Sequence, residues 1–166
     1  EYLSPINHLG DFGPELSFGQ QLIPTMKDSE ILAIYKFTDS GSQSLDWLPE
    51  GSKEPYRDRY QDWITGIKKL RDDLTKQGHQ CEIPAIFWHC GENDRALNWM
   101  ADKYADRFQT FMNATRKDLE LPELNWILTE QPILTESITG DEKIYDLNSD
   151  LEALDASDSN FTFVKT

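Results

Sequence analysis

The sequence predicts an α/β protein built on a parallel sheet, with helices layered on both faces. Three observations predict it. Short apolar runs of strand length recur at residues 30–36, 83–88, 125–129 and 161–164. Stretches with apolar residues at helical spacing separate these runs. The order α-β-α-β-α-β-α-β passes through the chain once, with no internal repeat and no linker. The 166 residues, 38% hydrophobic and 11% aromatic, suffice for one domain spanning 1–166 with a substantial core.

Each element has a local reason. Gly13-Pro14 opens a short helix through Leu22, because proline suits the first helical position. Glu30-Ile-Leu-Ala-Ile-Tyr-Lys36 has the β-branched, apolar content of a buried strand. Phe37 to Pro55 is rich in Ser, Asp and Gly, and a loop of that length after a strand is usually functional or flexible. Over residues 56–77, Tyr60, Trp63, Ile67, Leu70 and Leu74 recur at steps of three and four, the inner face of a helix stopped at Gly78. Ile83-Pro-Ala-Ile-Phe-Trp88 is the second strand. Leu97, Met100, Tyr104, Phe108, Phe111, Thr115 and Leu119 then line one face of a helix that ends before Pro122. Asn125–Thr129 and Phe161–Val164 are the third and fourth strands, with an acidic helix over about 142–154 between them.

Charge narrows the function. Thirty acidic residues against 16 basic ones give a net charge of -14 and a pI near 4.5. A nucleic-acid backbone requires a Lys/Arg surface, so that partner is excluded, and adsorption to anionic membranes is disfavoured. No apolar run reaches the ~18 residues of a membrane span. Glu1 is not an initiating residue, so the sequence reads as a mature product or an excerpt. Cys81 and Cys90 flank the second strand. At ~3.3 Å per residue they lie beyond the ~7 Å reach of a disulfide, so two separate thiols are expected.

Ligands of parallel α/β sheets bind at the carboxyl ends of the strands. Thr38-Asp-Ser-Gly-Ser-Gln-Ser-Leu-Asp-Trp47 and Trp88-His-Cys-Gly-Glu-Asn-Asp94 occupy such places. The second packs His89, Cys90, Glu92 and Asp94 together. These are metal-ligand types, yet no second His or Cys pair stands at helical or knuckle spacing, so neither a metal nor a cofactor is expected. A Cys–His nucleophile pair is disfavoured, because adjacent residues on an extended segment face opposite ways. A third reading is a helix entry, with Asn93 or Asp94 as the cap and Glu92 on nearby amides. In the first segment, Gly41 offers backbone N–H groups to an anion, or the stretch is a solvated loop. His8 and His79 read as irregular or surface positions. No G-x-S-x-G, Walker A, G-x-G-x-x-G or H-E-x-x-H pattern occurs.

Together these segments resemble the sialate O-acetylesterase-like carbohydrate esterases of the SGNH hydrolases. The resemblance rests on Gly13-Pro-Glu-Leu-Ser-Phe-Gly19, then Lys36-Phe-Thr-Asp-Ser-Gly-Ser-Gln-Ser-Leu-Asp-Trp47, then Trp88-His-Cys-Gly-Glu-Asn-Asp94, Tyr104 and Arg116-Lys-Asp-Leu119. It covers roughly residues 10–130. It implies a three-layer, flavodoxin-like fold and serine-type deacetylation of acetylated sugars, with a secreted or periplasmic location. By that resemblance Gly41 matches the oxyanion-hole glycine. Cys90 stands where the family has an oxyanion glutamine, and Gly91, Glu92 and Asp94 match residues that support the site.

The family's G-Q-S-N nucleophile block and D-x-x-H acid–base block are absent from these residues and are expected before Glu1 and after Thr166. The fold therefore reads as incomplete, the chain alone as inactive, and a second chain or segment as the source of the missing strand and catalytic residues. A non-catalytic glycan-binding member of the same fold is the alternative.

Overall fold

The computed structural model describes residues 13–52, 58–96, 98–131 and 146–165 (backbone only at 98 and 99). The chain divides into two compact units, Glu1–Thr38 and Asp39–Thr166.

In the first unit, helix α1 (Pro14–Leu22) begins at the expected proline and continues into a 3-10 turn over Ile23–Thr25. The Glu15 carboxylate accepts a hydrogen bond from the Gly13 N–H at 3.2 Å and one from Lys36 Nζ at 2.9 Å. Two of the sequence blocks thus meet through one ion pair. Gly19 faces the same segment: a Cβ there would sit 3.4 Å from Ile34 Cδ1. Residues 30–38, expected to contain a strand, join no β-ladder, and Ile31 and Ile34 are 73% and 45% exposed. Strand propensity fixes an extended shape, but a strand also needs a neighbour to take its N–H and C=O groups. No described strand does so here.

The second unit holds a three-stranded parallel sheet in the order β1 (Ala85–Trp88), β2 (Asn125–Thr129), β3 (Phe161–Val164). Trp88 stands opposite Leu128, and Leu128 opposite Phe163. Parallel neighbours need long crossovers, and helices supply them. Between β1 and β2 run α3 (Glu92–Ala96), α4 (Asn98–Ala101) and α5 (Tyr104–Leu119); α6 (Leu147–Ser157) precedes β3. Helix α2 (Arg59–Lys76) comes before β1. The parallel α/β architecture is the expected one.

Boundaries shifted for local reasons. β1 begins after Pro84, which has no N–H to donate. The helix expected to reach 119 without a break is divided, and α5 ends with Glu120 at φ 59, before Pro122. Of the helix expected at 142–154, residues 142–145 lie outside the described residues; the rest belongs to α6.

The core is aromatic. Trp88 and Trp126 project from one face of the sheet onto Phe108 and Phe111 of α5 and Trp63 of α2. Ring centroids at 4.9–5.1 Å for the Phe111 contacts with Trp88, Trp63 and Trp126 give tilted and edge-on packing, the favourable arrangement for ring quadrupoles. Trp47 closes this cluster edge-on to Trp88 at 4.7 Å, which ties the 39–47 loop to β1. No described helix is long and apolar enough to cross a membrane.

Candidate active site at the carboxyl edge of the sheet

The loop that carries Gly41 and the turn that carries Cys90 are held together by a buried carboxylate. Asp94 is fully buried in the first turns of α3. It accepts hydrogen bonds from the Ser44 N–H, at 3.2 and 2.9 Å to its two oxygens, and from the Ser44 hydroxyl. Arg107 of α5 stands 3.9 Å away and also donates to Ser44 Oγ at 3.3 Å and to the Met100 carbonyl at 2.9 Å. Burial pushes the Asp94 carboxyl above its ordinary range, while the Ser44 donors and Arg107 pull the other way. Asp94 is therefore a latch between segments rather than the helix cap that its position suggested. Helix α3 already begins at Glu92.

The latch sets two residues from the opposite segments in contact. Ser42 Oγ lies 3.8 Å from Cys90 Sγ, and the thiol lies 3.9 Å from the Ser42 carbonyl. Gly41 precedes this contact at φ 77, a conformation that a side chain would strain. The Cys90 thiol is buried and its pKa is pushed up to about 12, chiefly by desolvation, with Asp94 and Glu92 adding to the rise. It is neutral at physiological pH and unsuited to act as a nucleophile. Cys81 and Cys90 are both free thiols, as expected.

Gly91 follows at φ 138, and a Cβ there would meet the Tyr104 ring at 3.1 Å. Tyr104 is fully enclosed and donates its hydroxyl to the Cys90 carbonyl. Burial raises its pKa well above the ordinary value. The turn Cys90-Gly91 thus rests on α5 through one ring and one hydrogen bond. Glu92 points elsewhere: it is exposed, and its Oε1 is 3.3 Å from His89 Nε2. His89 Nδ1 in turn meets Thr129 Oγ1 at 2.8 Å. Among the described residues, no three His, Cys, Asp or Glu side chains form a metal-binding group. His79 is exposed, and His8 lies outside the described residues.

A family model described as carbohydrate esterase, sialic acid-specific acetylesterase matches residues 3–166. The chain belongs to this family. No curated protein and no solved structure gives a significant match.

Within this acetylesterase family frame, the structure brings Gly41, Cys90, Gly91 and Asp94 to one carboxyl-edge site and leaves Glu92 beside it on His89. Sequence reasoning missed Ser44 and Arg107. Arg107 had a readable signal: it falls on the stripe of α5 that includes Tyr104, Phe108 and Phe111, and a cation there implies a buried anion. Ser44 had none, because a hydroxyl in a Ser-rich loop is indistinguishable from its neighbours. The family's closing Arg116-Lys-Asp-Leu119 block is structural. Asp118 accepts from the Tyr60 hydroxyl at 2.7 Å, and Arg116 binds the Leu124 and Asn160 carbonyls and the Asp158 carboxylate.

Proposed function

We propose that this chain forms the oxyanion side of an O-acetylesterase acting on acetylated sugars, sialic acids among them. The observation that carries the reading is the Asp94–Ser44 latch, which holds the Gly41 loop against the Cys90 turn. Esterases stabilise the developing oxyanion with fixed N–H donors. Gly41 supplies its backbone N–H to that task, and Cys90 occupies the second donor position. Asp94, Gly91 and Tyr104 keep the two segments in register. The nucleophilic serine and its Asp–His partners come from a segment or companion chain that adds a strand beside β1, on the side away from β2. In the reaction the serine attacks the acetyl carbonyl, the histidine takes the serine proton and passes it to the departing sugar oxygen, and water then releases acetate.

A glycan-binding role without catalysis is the second reading, and one observation favours it: a neutral thiol is a weak donor where the family has an amide. Substitution of Cys90 separates the two. In the protein that also carries the serine and histidine blocks, Cys90→Gln should raise p-nitrophenyl acetate turnover by roughly 10-fold or more, since one oxyanion donor is worth about 10²–10³. Unchanged turnover in a folded Cys90→Gln variant removes Cys90 from the hole. No turnover in either version favours the binding role.

A further inference from the structure

The register of the sheet creates a second constellation that the oxyanion reading does not use. Trp88 pairs with Leu128, so His89 and Thr129 follow at the next step of two parallel strands and leave the sheet on the same side. That side is opposite to the one taken by Trp88 and, one residue on, by Cys90. His89 Nδ1 lies 2.8 Å from Thr129 Oγ1. Its other ring nitrogen lies 3.3 Å from Glu92 Oε1, on the first turn of α3.

Nε2 faces the Glu92 carboxylate, which can only accept, and Nδ1 faces the Thr129 hydroxyl, which can donate or accept. In the neutral ring protonated at Nε2, Nδ1 keeps its lone pair and accepts from the Thr129 hydroxyl. In that tautomer the three groups have the arrangement of a carboxylate–imidazole–hydroxyl relay, in which the imidazole removes the hydroxyl proton. All three groups sit at the carboxyl ends of β1 and β2, where ligands reach an α/β sheet. The side chains of His89 and Glu92 are both 51% exposed, which leaves the relay open to a small ester.

We propose that Glu92, His89 and Thr129 form a hydrolytic relay within this chain, with Thr129 as the acyl acceptor for acetyl esters. Thr129 Oγ forms a bond to the acetyl carbonyl carbon while its proton passes to His89 Nδ1. Collapse breaks the ester bond, and the departing alcohol oxygen takes that proton. Water then attacks acetyl-Thr129 by the same route and releases acetate, restoring the hydroxyl. Only the ester and water are consumed. The site differs from the Gly41–Cys90 site and does not depend on a serine supplied from elsewhere. It also departs from the expectation that the 166-residue chain is inert, which rested on the missing blocks alone.

The test is acylation by p-nitrophenyl acetate of the protein that also carries the G-Q-S-N and D-x-x-H blocks, with the G-Q-S-N serine replaced by alanine, followed by peptide mapping and by the rate of nitrophenolate release. The expected result is one acetyl group on residue 129. Thr129→Ser should keep the label at that position, and the near-isosteric Thr129→Val should abolish it. His89→Gln should slow acylation by about 10²-fold, within the range for general base catalysis. Glu92→Gln should slow it less, since the base remains. Labelling found only on lysines or the amino terminus overturns the proposal, as does an unchanged release rate in Thr129→Val. Thermal melts of each variant exclude unfolding as the cause. Because the readout is an acetyl group on Thr129, its absence leaves the serine-dependent reading of the Gly41–Cys90 site untouched.

Discussion

At the residue scale, the Gly41 loop and the Cys90 turn depend on a carboxylate that is buried and still multiply bonded. Asp94 was readable as the last residue of the Gly91-Glu-Asn-Asp94 block. Its partner was not, because Ser44 is fifty positions away in a loop with no periodicity. The rise in the Asp94 pKa has a definite consequence. A carboxyl that holds its proton more tightly when folded makes the folded state bind more protons than the unfolded state, just above the ordinary value of 3.8. Stability then falls as pH rises through that window. In Asp94→Asn the contribution disappears. The expected outcome is that the melting temperature of Asp94→Asn, relative to the unsubstituted protein, rises between pH 4 and neutrality. A flat difference across that range contradicts a raised pKa.

At the element scale, α1, β2 and β3 fall within a residue or two of their expected bounds, because proline, β-branched residues and strict periodicity specified them locally. Segment 30–36 did not become a strand, since a ladder is a property of two segments and only one can be read at a time. The division between α4 and α5 was also hidden. There the Met100 carbonyl accepts from the Lys103 N–H at 3.3 Å, a three-residue turn, and from the Arg107 side chain at 2.9 Å. Arg116 joins the end of α5 to β2 and to the turn before β3. Burial tends to raise the Asp158 pKa, but the Arg116 bonds and the Asn160 N–H lower it overall. Arg116→Ala removes the cation from that carboxylate and a donor from two carbonyls, leaving Asp158 with the Asn160 N–H and the Asn160 carbonyl with the Trp126 N–H. The expected cost is about 3 kcal/mol, or roughly 10 °C in melting temperature. A loss under about 1 kcal/mol assigns the pair the small energy of a surface salt bridge.

At the scale of the whole molecule, the acidity read from composition remains an argument about partners and says nothing of the sugar. The parallel α/β plan was legible because buried strands alternating with amphipathic helices leave few other arrangements. The chemistry was legible only in outline. Gly41 and Cys90 lie in two short blocks, whereas the groups that set their geometry, Ser44, Tyr104 and Arg107, are divided between the 39–47 loop and α5. On the proposed function, this assembly serves a serine that is not among these 166 residues, and acetate release from an O-acetylated sialic acid is the measurement that tests it. The measurement compares the protein carrying the G-Q-S-N and D-x-x-H blocks with the same protein in which the G-Q-S-N serine is alanine. Release is expected to fall by at least 10³-fold on that substitution. A folded protein that releases no acetate, or releases it equally without the serine, contradicts it.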